Sequence, residues 1–179
     1  PEDLTQTPGD LCAGDRWILS EFTQVLEDVN KSWNDIDIFS ATRIIKNFGT
    51  DVLPSHWLEM AKRRLYDDDE KAAWTIHRIV KDLLTIFSPI CPFFTHHLSE
   101  TLYGESAVDI RNYPPSPFEN DDEAERMRSM TISLSEFNSE TWRAKKEAGL
   151  SLNAEVEGIV IPDELSEFTD ELVTMHNIV

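Results

Sequence analysis

Cysteine is nearly missing from this sequence: Cys12 and Cys91 are the only two in 179 residues, and neither belongs to a Cys-x-x-Cys pair. Such usage argues against a disulfide framework or a zinc site and fits a reducing compartment. Glycine is also scarce. Six residues are scattered singly, so no Gly-rich loop exists to cradle a phosphate chain. Catalytic signatures are missing too, with neither a Gly-x-Ser-x-Gly elbow nor a His-Glu-x-x-His pair. No apolar run approaches the roughly 18 residues that span a bilayer, which sets a membrane protein aside. Cations are outnumbered, with 16 Lys and Arg against 34 Asp and Glu and a net charge of -18. The excess is even, -9 in residues 1–120 and -9 in residues 121–179. Phosphate affinity comes from Lys and Arg, so any nucleic acid must be held on a local basic patch.

What is present is helical periodicity. Residues 1–14, with Pro8, Gly9 and Gly14, read as an irregular lead-in. Asp15 is expected to cap a helix over 16–33, with Ile18, Phe22, Val25, Leu26, Val29 and Trp33 on one face. Asp37 is expected to cap a second over 38–48, with Phe39 or Ile38 inward and Gly49 as its stop. Asp51 opens a third over 52–66, and the acidic run Asp67 to Glu70 opens a fourth over 69–87. Ser88-Pro89-Ile90-Cys91-Pro92 is a sharp break. A fifth helix runs from Pro92 to Gly104, with Phe94, Leu98 and Leu102 inward. Pro114-Pro115-Ser116-Pro117 marks a stiff linker and a domain boundary. Beyond it a long helix, 121–148, carries Met127, Met130, Leu134, Phe137, Thr141, Ala144 and Ala148 at heptad-like spacing. Residues 155–161 and 177–179 read as two strands around a short helix. The expected fold is therefore mainly α: an antiparallel helical bundle over 15–117, then a long helix and a small strand-helix-strand α+β appendix over 118–179. The chain starts at Pro1 and closes on Ile178-Val179 inside an expected strand, so it is expected to be a cut from something longer.

His96-His97 is the one eye-catching histidine pair, but adjacent helical residues point about 100° apart and do not readily share a metal. No metal site is expected. The scarce cations are more informative. Arg43 and Lys46 lie one turn apart, Lys62-Arg63-Arg64 closes the third helix, and Arg143, Lys145 and Lys146 close the long one. Such clusters also suit a helix C-terminus for purely dipolar reasons.

Several strings carry a resemblance. Asp15-Arg16-Trp17-Ile18-Leu19-Ser20 resembles the start of a bundle helix in class I aminoacyl-tRNA synthetases. Phe39 to Phe48, Trp57-Leu58-Glu59-Met60-Ala61-Lys62-Arg63-Arg64-Leu65, Ser88-Pro89-Ile90-Cys91-Pro92-Phe93-Phe94-Thr95 and Ala107 to Pro114 resemble the segments that follow. The tail from Trp142 to Leu152 is similar to the archaeal valyl branch, with leucyl and isoleucyl relatives as the near alternatives. His96-His97 stand where the family usually has an acidic residue, and Asp109 where it usually has His. The resemblance implies a bundle that binds the anticodon stem-loop of a tRNA in the cytoplasm. It also implies a separate catalytic domain that uses ATP and Mg to charge the tRNA, while this fragment holds no cofactor and no catalytic residue. Arg16, Arg43, Lys46, Lys62 and Arg63 would contact phosphates, and Trp17 and His97 would stack on or edge-bond unpaired bases. A rival from another class is an acidic helical adaptor that docks protein through the heptad-like helix.

Overall fold

A computed structural model describes residue 4, residues 7–106, residue 108, residues 111–118 and residues 121–179. The described residues are overwhelmingly helical. In chain order they form α1 (Ala13–Asn34), α2 (Ile38–Asn47), a wide π-type segment (Phe48–Trp57), α3 (Leu58–Tyr66), α4 (Glu70–Phe87) and α5 (Pro92–Tyr103), followed by α6 (Asp121–Ser129), α7 (Thr131–Glu147), a 3-10 segment (Asp163–Phe168) and α8 (Thr169–His176). None of these helices is long and apolar enough to cross a membrane.

α1 is the axis. Ile18, Phe22, Leu26 and Val29 are buried along the stripe that the periodicity predicts. Its start differs, because Cys12 stands at the N-cap and Asp15 lies inside the first turn, fully buried. Capping a helix is worth about 1 kcal/mol, and the Asp15 carboxylate instead serves a buried ion pair. Asp37 does cap α2, accepting from the Ser40 N–H at 3.0 Å. α2 buries Ala41 and Ile45, while Ile38 and Phe39 stay outside, contrary to expectation.

Gly49 does not end that helix. The backbone continues through the π-type segment into α3, so residues 38–66 form one helical run. Phe48, Leu53 and Trp57 are its buried residues. They are spaced five and four apart, which an i→i+5 coil keeps on one side and a 3.6-residue coil does not. Asp51, expected to open a helix, therefore lies within one. Asp69 caps α4 by accepting from the Lys71 and Ala72 N–H groups at 2.8 and 3.2 Å.

α5 is turned over relative to its expected face. Thr95 and Ser99 are buried, and Phe93, Phe94 and Leu102 are exposed. The two small polar residues satisfy themselves. Thr95 donates back to the Cys91 and Pro92 carbonyls at 3.1 Å, and Ser99 accepts from Arg111 at 2.6 Å. Of the Ala107 to Pro114 motif, Ala107, Asp109 and Ile110 lie outside the described residues.

After Pro114–Pro117 the chain returns along α1. The expected single helix over 121–148 is two, α6 and α7, parting at Met130. Met127, Leu134, Phe137 and Thr141 are buried as expected, but Ala144 and Ala148 are exposed and Lys145 is buried in their place. One core cluster joins Trp17, Phe22, Trp57 and Ile79 to Met127, Leu134, Leu165 and Phe168, so apolar packing is continuous across the proline segment. Among the described residues the two expected strands reduce to one parallel bridge, Val156 with Ile178. Gly158, at φ 76°, turns the backbone out of the extended region two residues after Val156.

Candidate nucleic-acid interface

The residues singled out in the sequence fall into three pairs, with His97 apart from them. Arg16 and Trp17 are structural. The Arg16 guanidinium ties α1 to α6 and to the 3-10 segment through Glu123 at 2.9 Å and Glu167 at 3.2 Å. Trp17 is only 1% exposed. Its Nε1–H donates to Thr131 Oγ1 at 2.9 Å, and its ring meets His56 edge to face at 6.4 Å. No face of Trp17 is open to a base, so the stacking role read from the sequence is corrected: proximity to Arg16 in sequence says nothing about which side of α1 the ring takes.

The second group lies early in the helical run. Arg43 is exposed, with its guanidinium carbon 5.9 Å from the Phe39 ring centroid, and Lys46 is exposed one turn on. The third group lies at the end of the run. Lys62 sits 3.4 Å from Glu59 and Arg63 3.9 Å from Asp67. Both pairs are solvent-exposed, and such pairs are worth about 1 kcal/mol or less, so a phosphate can compete for either cation. The two groups are separated by 16–20 residues of the helical run, ten of which lie in the wider π-type segment. They are two contact points, not one patch. His97 is exposed on α5, a separate helix.

Lys62 and Arg63 border a cleft of about 260 Å³ between α3 and the end of the chain, completed by Glu59, Tyr66, Asn153, Thr174, Met175 and Asn177. Tyr66 is 79% exposed, and Asn177 donates to the Asn153 carbonyl at 3.1 Å across the cleft's far wall. A cation pair, an open phenol ring and two amides are the groups that hold phosphate and unpaired bases. The sequence hides this grouping, since residues 153 and 177 meet α3 only through the packing of α8 against it. The only local signal was Tyr66 at the end of a basic turn.

The string that resembled a family does internal work. Arg64 reaches from α3 to the first turn of α1, donating to Asp15 Oδ1 at 2.6 Å and Oδ2 at 2.9 Å. Trp57 Nε1–H donates to Asp15 as well, at 3.0 Å. Arg64 also lies 3.4 Å from Asp69 and 4.0 Å from Glu171. Burial opposes the Arg64 charge, yet the Asp15 hydrogen bonds and charge hold its pKa above the usual value. Burial raises Glu171, and it raises the Cys12 thiol, which the Glu171 carboxylate pushes further. Glu171 is gripped by the Gly14 N–H at 3.1 and 3.2 Å. A Cβ at position 14 would stand 2.4 Å from its Oε1, so a side chain there would push the Glu171 carboxylate off the Gly14 N–H.

The basic turn at the end of α7 is likewise part-consumed. Lys145 is fully buried, and its Nζ donates to the carbonyls of Leu152, Ala154 and His176 at 2.8, 2.7 and 2.6 Å. Beside it His176 Nε2 meets Asn138 Oδ1 at 2.8 Å, and Asn138 Nδ2 meets His56 Nδ1 at 3.2 Å. Trp142 and Phe137 pack their rings on His176 at 5.6 and 5.7 Å. Burial, and then the Lys145 charge, press the His176 pKa down to about 4. Among the described residues no group of three His, Cys, Asp or Glu could hold a metal.

As a class, this is a helical bundle closed by a buried carboxylate–guanidinium tie, with a basic, aromatic-edged cleft at one end. Residues 15–160 match the family model described as anticodon-binding domain of tRNA ligase. The chain belongs to that family. It is 33% identical over 177 residues to the valine–tRNA ligase of Methanopyrus kandleri, covering 94% of this chain and 19% of that protein. It is 32% identical over 122 residues to the valine–tRNA ligase of Sulfolobus acidocaldarius, covering 67% and 15%. It is 31% identical over 152 residues to that of Methanosarcina barkeri, covering 82% and 17%. The chain thus spans about a fifth or less of the length of these relatives.

Proposed function

We propose that this chain grips the anticodon stem-loop of a valine tRNA within a valine–tRNA ligase, whose ATP- and Mg-dependent aminoacylation takes place in another part of the same polypeptide. The observation that carries this reading is the match of residues 15–160 to the tRNA-ligase anticodon-binding domain, in a chain whose relatives over most of its length are valine–tRNA ligases. The cleft supplies the chemistry. Lys62 and Arg63 neutralise phosphates and set the register. The Tyr66 ring offers a stacking face, worth about 1–3 kcal/mol per base. Asn153 and Asn177 present amides to base edges. Arg43 and Lys46 meet a second stretch of RNA backbone farther along the helical run. The strongly negative remainder of the surface repels RNA that does not reach these points.

The test is binding of valine tRNA to the whole ligase between 50 and 200 mM salt, with Lys62→Ala plus Arg63→Ala as the variant. Each phosphate contact contributes about 0.7–0.9 to the slope of log K against log salt, so the double variant should flatten the slope by roughly 1.4–1.8. An unchanged slope removes both residues from the interface. Equal binding of tRNAs with the valine anticodon and an altered one removes the anticodon assignment.

A further inference from the structure

The cleft's two amides belong to no regular sheet or shared helix. Asn153 sits in the turn after α7, and Asn177 ends α8 in the left-handed conformation, at φ 47°. They are 24 residues apart in sequence. Among the described residues the backbone pairing between their segments is a single bridge. In it the Val156 N–H donates to the Asn177 carbonyl at 3.0 Å, and the Val179 N–H to the Val156 carbonyl at 3.1 Å. One bridge without a ladder around it is a weak guarantee of register.

Lys145 supplies the register. Its ammonium has three donors and no acceptor. They go to the carbonyls of Leu152 and Ala154, on either side of Asn153, at 2.8 and 2.7 Å, and to that of His176, directly before Asn177, at 2.6 Å. Both segments are thus drawn to one point. Residue 176 is fixed to α7 a second time, since its ring Nε2 meets Asn138 Oδ1 at 2.8 Å. The turn that carries Asn153 has less. Its local bonds stay within it, Ala154 N–H to the Ser151 carbonyl at 3.0 Å and Asn153 N–H to Ser151 Oγ at 3.4 Å. Among the described residues, only Lys145 and the Asn177 amide hydrogen-bond residues 152–154 to another segment. Arg143 and Lys146, beside it on α7, are exposed, whereas Lys145 has no surface to offer a phosphate.

We infer that Lys145 is a positioning residue for base readout: it touches no RNA, and it sets Asn153 against Asn177 and so shapes the wall that faces Lys62, Arg63 and Tyr66. The inference rests on the reading of this cleft as the RNA site. Two kinds of cation then act in two ways. Lys62 and Arg63 act through charge on any sequence, so their loss changes the salt slope and leaves base preference as it was. Lys145 acts through the placement of two amides, so its loss changes base preference and leaves the salt slope as it was.

The test is binding by the whole ligase of valine tRNA and of a tRNA with an altered anticodon, over the same salt range. Lys145→Met keeps an unbranched side chain and removes every donor. It should lower the preference for the valine anticodon by roughly fivefold or more, the worth of one amide–base contact, at an unchanged salt slope. Its effect should not multiply with that of Asn153→Ala plus Asn177→Ala, because all three changes act on the same amides. A flattened slope, an unchanged preference or full additivity would overturn the positioning role. Affinities are taken on the fraction of protein that saturates with tRNA, so unfolded molecules do not enter. If Lys145→Met binds no tRNA at saturation, the same criteria pass to Lys145→Gln, which keeps one amide donor group. Loss of all binding in both variants assigns Lys145 to folding alone and overturns the role. Failure of the cleft reading is seen separately, as a preference that Asn153→Ala plus Asn177→Ala leaves untouched.

Discussion

Arg64→Ala removes the one cation that meets Asp15 among the described residues, and its cost can be worked from the geometry. The Asp15 side chain is fully buried, and the Arg64 side chain is 23% exposed. After the substitution Asp15 keeps the Trp57 Nε1–H bond but loses both guanidinium donors. Breaking a buried pair by removing one partner costs about 3–5 kcal/mol. The part-exposed arginine allows water to follow, which places this case near 3 kcal/mol. For a chain of this size that corresponds to a fall of roughly 6–12 °C in Tm. Glu171, already raised by burial, loses a lowering partner and moves further up. Urea unfolding followed by tryptophan fluorescence reads the effect, since Trp57 lies in the same cluster. Asp15→Leu combined with Arg64→Leu should recover part of the loss, because Asp15 is then no longer buried without its cation, while the Trp57 Nε1–H loses its acceptor and Glu171 its cation. A cost for Arg64→Ala below about 1 kcal/mol, or strict additivity of the two single changes, would refute the claim that this pair closes the bundle.

Other consequences follow from the buried core. His176 is held near 4 when folded against an ordinary value of 6.5, so the unfolded chain binds the proton more readily. Stability should therefore fall as pH drops below 6.5, by about 3 kcal/mol once pH 4 is reached; His176→Gln should remove that component, and parallel pH profiles for the two proteins would count against it. Trp17→Phe should cost on the order of 1 kcal/mol through the lost bond to Thr131 and leave the tRNA affinity of the folded protein unchanged. A large affinity loss in filter binding would return Trp17 to the interface.

Much of the bundle is legible in the sequence where a single residue decides a local event. Asp37 caps α2, Gly104 stops α5, and the Ser88–Pro92 string separates α4 from α5. Legibility fails where tertiary partners outbid the local rule. Asp15 looks like a cap but is drawn inward by Arg64, which is 49 residues away. Thr95 and Ser99 look like surface residues, yet their hydroxyls bond the helix's own carbonyls and Arg111, which lets α5 bury its polar side. Gly49 looks like a stop, but the spacing of Phe48, Leu53 and Trp57 rewards a wider coil. For the candidate interface, the sequence offers Lys62 and Arg63 and misses Asn153 and Asn177. Those amides reach α3 only because α8 packs on it, and no local pattern reports that.

The carbonyl cage of Lys145 sets a rule for shortening this protein. Its three acceptors come from a loop at residues 152 and 154 and from residue 176. An end placed between 149 and 175 would take away at least one of these acceptors and open the cage to solvent. A trimmed version has to stop ahead of α7 or keep everything through His176.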